Sequence, residues 1–360
     1  MTKQRLLKYD VIRVIALIMI VMIHVSAYMV IFYPDTSDAA FRVGNIFNGL
    51  GRAGTPLFLM LSGALLLNED HPIRAREFYK KSLVRIALLL LFWLLFYATW
   101  RAFLLPALAG KPADPRLFGA YLLKQEGLYP HLWYLFMLIG AYLAIPVLRL
   151  FVKRENRSYV LGMIVLAFFA QFAVQTAGVF TREAVFSVSD FAAKFHLEYA
   201  TGYLPYLLTG WYLDSFPLSK KKRIAIWTAG AAALAAIILL VQFFIDPVPD
   251  IRDYLVEMNT LPAFVYGVGM FTLLSAVTGE RKSENAVVKE LSRASFGIYI
   301  IHIVFLDLLT GIFLPYRAFG ERNPALYLLV LYILTFGCSL GAVYLLTRIK
   351  GLRKLFYYSD

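Results

Sequence analysis

Residues 9–29 read YDVIRVIALIMIVMIHVSAYM, and the fold of the whole chain turns on what that stretch is. Apart from Asp10 and Arg13 near its start and His24 near its end it is almost wholly apolar, and about twenty such residues cross a bilayer as one helix. The run exceeds a signal-peptide core and no small-residue cleavage site follows it, so a retained helix is expected. His24 would then lie in hydrocarbon, where ionisable groups are costly and mark function by default. Arg13 and His24 are eleven positions apart, about three turns, so they share one helix face roughly 16 Å apart along the axis. That layout suits a charged co-substrate held at one surface that delivers a reactive group inward. The alternative is a packed histidine bonded to a neighbouring backbone carbonyl.

Composition agrees with a membrane protein. Of the 360 residues 60% are hydrophobic and 16% charged, with a mean hydropathy of +0.66. Apolar runs recur from end to end, which predicts an all-α, polytopic bundle of about ten transmembrane helices forming one domain over residues 1–360. The spans fall near 11–32, 46–67, 84–105, 131–151, 158–179, 200–215, 223–245, 260–278, 296–315 and 325–347. Of the 36 lysines and arginines, 25 sit in alternate connections and at the two termini, which by the positive-inside rule puts both termini in the cytoplasm. The net charge of +13 is therefore topology and implies no nucleic-acid partner. One cysteine, Cys338, excludes an internal disulfide and a thiol-rich metal site. Two outward loops, near 106–130 and 180–199, are long enough to cap a cavity.

Four further stretches carry candidate chemistry. In GRAGTPLFLMLSGALLL (51–67) the small residues allow close helix approach, Pro56 should open or kink the helix, and Arg52 either snorkels to the interface or points into a cavity. Arg74, Arg76, Lys80, Lys81 and Arg85 form a cytoplasmic basic cluster, which is topogenic charge or a phosphate site. Pro130, His131, Leu132 and Trp133 open the fourth span, Trp133 at the depth of an ordinary interfacial anchor. SFGIYIIHIVFL (295–306) places Tyr299 and His302 inside the ninth span, with Asp307 just beyond. Two intramembrane histidines among five in all point to a polar interior. Metal ligation by His24 and His302 has little support, because no ligand pair shows the i, i+4 spacing of a helical zinc site.

In this order the motifs resemble the integral-membrane acyltransferase-3 family of bacterial envelopes. The carrying features are Arg13 followed after ten residues by His24; PLFLMLSGALLL (56–67); Phe78 and Tyr79 with basic residues through Arg85; His131-Leu-Trp133 followed by Tyr142 and Pro146; and Ser295 to Tyr299 with His302. Within the family the chain is most similar to short, single-domain O-acetyltransferases such as that of enterobacterial common antigen. The resemblance implies an enzyme of the bacterial inner membrane that moves an acetyl group from cytosolic acetyl-CoA to a hydroxyl of an envelope glycan or lipid-linked saccharide outside. It assigns His24 and Arg13 to catalysis, and Arg13, Lys81 and Arg85 to acyl-CoA, a co-substrate rather than a tightly bound cofactor. Arg52, His131, Trp133, Tyr299 and His302 are the acceptor-side candidates.

Some relatives carry two arginines three positions apart where this chain reads Ser82, Leu83, Val84 and Arg85, so Lys81 would have to replace the first. His24 can act as general base, typically worth about 10²–10⁴-fold, or carry the acyl group itself. Transfer of succinyl or another acyl group, and a proton-coupled secondary transporter relaying protons through His24 and His302, are the alternatives. The acceptor sugar and the oligomeric state are not written in the sequence.

Overall fold

The computed structural model describes residues 5–33, 35–124, 129–173, 176, 202–244 and 257–357. The apolar runs fold as helices, since backbone groups in hydrocarbon must bond within their own segment. They are α1 (Leu7–Phe32), α2 (Ala39–Gly51), α3 (Gly54–Leu66), α4 (Ala75–Leu108), α5 (Trp133–Phe151), α6 (Arg157–Phe168), α7 (Leu204–Ser215), α8 (Lys220–Phe244), α9 (Leu261–Thr278), α10 (Ala286–Phe313), α11 (Pro324–Leu346) and a short α12 (Arg353–Phe356). Among the described residues there is no strand, only an isolated bridge between Leu6 and Lys282. Polar side chains start several helices. Asn285 accepts from Val288 N and Asn323 from Leu326 N at 3.1 and 3.0 Å, each satisfying a first-turn donor.

Eight stretches of the described residues are long and apolar enough to cross a membrane: α1, α2 with α3, α4, α5, α8, α9, α10 and α11. The remaining two expected spans are short here. α6 and α7 have 12 residues each, about 18 Å at 1.5 Å per residue against a hydrocarbon core of about 30 Å. α6 continues as a π turn to Ala173, and residues 174–175 and 177–201, which belong to the expected fifth and sixth spans and the loop near 180–199, lie outside the described residues.

Burial separates the centre from the rim. Over an apolar stretch of 18 residues in each span, 72% are buried in α2–α3 and 61% in α1, against 17% in α5 and in α8. α1 packs on α2, α3, α9, α10 and α11, so His24 stands on the central helix. Small residues set that packing. α3 and α7 cross so closely that a Cβ on Gly63 would lie 1.9 Å from Leu207 O, and one on Gly210 1.9 Å from Met60 O.

The second span differs from its expected course in a way that matters for the site. It begins at Ala39 and breaks at Arg52 and Ala53 before resuming as α3. Pro56 explains the position, because it has no N–H to return to the carbonyl of Arg52 four residues back.

Candidate active site

Three helices bring three histidines together. His24 comes from α1, His131 from the 3₁₀ turn Pro130–Leu132 that leads into α5, and His302 from α10. Ring centroids lie 5.1 Å apart for His24 and His302, 5.6 Å for His131 and His302, and 6.2 Å for His24 and His131. His131 and His302 are 1% and 0% exposed, while His24 keeps part of its surface accessible. His302 Nδ1 lies 2.6 Å from Tyr299 O. A carbonyl only accepts, so in the neutral ring Nδ1 carries the proton and Nε2 keeps its lone pair, which has no hydrogen-bond partner.

Aromatic residues fix the cluster. Tyr299 donates its hydroxyl to the backbone carbonyl of His131, Tyr97 donates to Ile300 O at 2.5 Å, and the Tyr97 ring sits 4.9 Å from that of His131. On the far side Asp307 accepts from Tyr129 and, at 3.0 Å, from Trp100 Nε1.

Arg52 stands within electrostatic reach of His24 rather than at an interface. It is 8% exposed and donates through Nη2 to Asn48 Oδ1. Asn48 in turn donates to Ile23 O at 3.3 Å and Ser26 Oγ at 3.2 Å, the α1 positions on either side of His24. Gly51 lets this happen, since a Cβ there would meet Ile23 Cγ1 at 2.5 Å and Met19 O at 2.7 Å.

Arg13 belongs to a different network near the start of α1. Its Nη1 donates to Ser292 Oγ at 2.9 Å and lies 3.8 Å from Asp10 Oδ1. Asp10, 1% exposed, also accepts from Arg5 at 2.6 and 2.7 Å, from Ser283 at 2.5 Å and from Ser292 at 2.7 Å. Buried and hydrogen-bonded on both oxygens, this carboxylate clamps α1 to α10.

At the same end of the bundle, a groove of about 890 Å³ lies between α4, α5, α10 and the C-terminal segment. Its lining includes Lys80, Lys81, Arg85, Arg293, Arg353 and Lys354, and among the described residues no carboxylate. Such an arrangement concentrates positive potential on whatever enters. The π turn Tyr79–Leu83 interrupts α4 at this point and carries Lys80, Lys81 and Ser82. Such one-turn widenings recur at functional sites. Arg85 donates to Tyr357 O at 2.7 Å and holds the C-terminal segment in place.

Groove and histidines are linked along α10. Arg293 and Phe296 line the groove, and His302 follows Arg293 by nine residues, about 13 Å of helix. Phe296, Tyr299 and His302 form successive ring pairs at 6.4 and 6.2 Å, with Tyr134 5.6 Å from Tyr299.

Of the residues singled out from sequence, His24, His131, Tyr299 and His302 thus meet in one cluster with Arg52 next to it. Lys81 and Arg85 meet in the groove. Arg13 lies outside the groove lining, and Trp133 stacks on Tyr203 at 5.2 Å instead of touching the histidines. Sequence reasoning missed Arg293, Arg353 and Lys354, which it counted as topogenic charge, and Tyr97 and Tyr129, the first in an apolar run and the second in a loop. Among the described residues no group of histidines, cysteines and carboxylates is arranged to hold a metal ion.

Fold and site together define a class: a polytopic helical membrane protein that keeps a cluster of imidazoles inside its bundle. The family model described as an acyltransferase domain matches residues 6–344, and the chain belongs to the acyltransferase-3 family. It is a membrane acyltransferase. No curated protein and no solved structure matches it.

Proposed function

We propose that the protein transfers an acetyl group from cytosolic acetyl-CoA to a hydroxyl of a cell-envelope glycan on the other side of the bacterial inner membrane. The observation that carries this reading is the cation-lined groove about 13 Å along α10 from the histidine cluster. In this reading both termini are cytoplasmic and about ten spans surround the site. The phosphates of the co-substrate bind Lys81, Arg85, Arg293, Arg353 and Lys354, since guanidinium and ammonium groups at a partly dehydrated surface bind phosphate by charge-assisted bonds. The pantetheine arm runs past Phe296 and Tyr299. Arg13 acts on this path through Asp10 and Ser292, positioning α10 rather than touching phosphate.

At the inner end His24, the accessible member of the three, takes the acceptor's proton. The hydroxyl oxygen bonds to the thioester carbon, the carbon–sulfur bond breaks, and the thiolate leaves with the proton from the imidazolium. His302, whose Nδ1 is spent on Tyr299 O, holds a lone pair beside His24 and steadies its charge. His131, Tyr299 and the Asp307 group form the acceptor side. The short single-domain O-acetyltransferases remain the subgroup this reading favours.

The test is acetylation of envelope glycan in cells that carry His24→Ala in place of the native protein, read by mass spectrometry. The added acetyl mass should vanish while the protein still inserts. Full acetylation would refute the role of His24, and a different added mass, such as succinyl, would keep the reaction class and change the donor.

A further inference from the structure

We infer that Arg52 is the oxyanion-stabilising residue of this site: it binds the carbonyl oxygen of the acyl donor as that oxygen becomes negative. The inference rests on the acyl-transfer reading above. Four observations support it. Arg52 is a buried cation within a membrane span, which is expensive unless an anion compensates it. Among the described residues no carboxylate lies within ion-pair distance of it; Glu257, exposed ahead of α9, acts on it only from further away. Its Nε is buried and has no hydrogen-bond partner among the described residues. Finally, among the described residues its one side-chain hydrogen bond runs back to Asn48, four residues earlier in the chain.

That last point separates a chemical role from a packing role. The tie between α2 and α1 is made by Asn48, through Ile23 O and Ser26 Oγ, and it would persist without the guanidinium. The Asn48 amide is spent on α1, so its Oδ1 is fixed and aimed at Arg52. The break at Arg52 and Ala53 sets the side chain at the junction between α2 and α3. A fixed, dry, positively charged donor beside the candidate base is what acyl transfer needs.

The acceptor oxygen forms a bond to the thioester carbon, its proton passes to His24, and the carbonyl π pair moves onto the carbonyl oxygen, which Arg52 then holds. Collapse returns that pair to the carbonyl, the carbon–sulfur bond breaks, and the leaving sulfur takes the proton from His24. Attack by the His24 nitrogen itself would place the same charge on the same oxygen.

The test uses membrane vesicles with the full chain, labelled acetyl-CoA as donor and the vesicles' own envelope glycan as acceptor. Arg52→Met should lower turnover about 10²–10³-fold, with the half-saturating acetyl-CoA concentration changed less than about threefold and the thermal midpoint unchanged or raised, since a buried charge has been removed. Arg52→Lys should retain an intermediate rate, and millimolar guanidinium should restore part of the activity of Arg52→Ala. Native turnover in Arg52→Met overturns the inference. So does a loss expressed only as weaker donor binding, or a lowered midpoint with no rescue by guanidinium. Inactive wild-type vesicles would instead count against the acyl-transfer reading.

Discussion

Two levels of α10 carry opposite kinds of polar group. At its start Arg293 faces a groove with five other lysines and arginines, several of them long side chains at the surface: Lys81 is 79% exposed and pairs only loosely with Glu77 at 3.9 Å. At mid-helix, nine residues further on, His302 sits fully buried among aromatic rings. Mobile charge in a broad groove suits capture of a polyanion, whose affinity depends on total charge more than on any one contact. Buried rings held in place by the surrounding helices suit chemistry, which requires groups positioned before reaction. The difference teaches that substitutions in the groove should change binding by degrees, whereas those in the cluster should switch turnover off.

The largest break in that contrast comes from His24→Ala, which should lower turnover by about 10³-fold or more with acetyl-CoA binding retained; calorimetry in detergent alongside the acetylation assay separates the two. Weaker binding with turnover intact would move His24 to the groove's side of the comparison. Tyr299→Phe comes next. It removes the donor to the buried His131 carbonyl, and an unpaired buried acceptor costs about 1–3 kcal/mol, so both the thermal midpoint and turnover should fall. Third, Arg85→Ala or Arg293→Ala should weaken acetyl-CoA binding about tenfold, one charge-assisted bond's worth, and the effect should shrink as salt rises. Salt-independent loss would show that these arginines support the fold instead.

The smallest effect belongs to a charge far from both regions. Arg154 donates to the Asp70 carboxylate at 2.6 and 3.1 Å, and these bonds hold the carboxyl below its ordinary range. A depressed folded value means the pair stabilises the protein above the unfolded carboxylate's pKa of about 3.9 and is lost as pH falls through the lower folded value. Because the pair is at the surface, Asp70→Asn should cost only a few tenths of a kcal/mol at pH 7 and nothing in strong acid, as thermal midpoints at the two pH values will show.

The helical, membrane-spanning character was legible because apolar runs and alternating basic connections report directly on the bilayer. The break in the second span was half legible: Pro56 marks its place at Arg52 and Ala53, but the burial of Arg52 depends on the close approach of α1 at Gly51. Arg52 could be read either way because hydropathy says nothing about which face of a helix meets lipid. His131 looked interfacial because it starts a span, and only the inward position of that start carries it to His24. Arg353 and Lys354 were hidden for another reason. Charges after the last span read as topology until the chain turns back under α4 and α10, where Phe356 packs on Trp93 and Arg85 bonds Tyr357 O.

The central claim is that one continuous site joins the groove to the histidines. A structure of the protein with a non-transferable acetyl-CoA analogue bound tests it most directly. The account predicts phosphate density between Arg85, Arg293 and Arg353, with the thioester-equivalent carbon within about 3.5 Å of the space between His24 and Arg52, the distance of a productive encounter. An analogue whose acyl end stops short of the cluster, or lies outside the bundle, would contradict it.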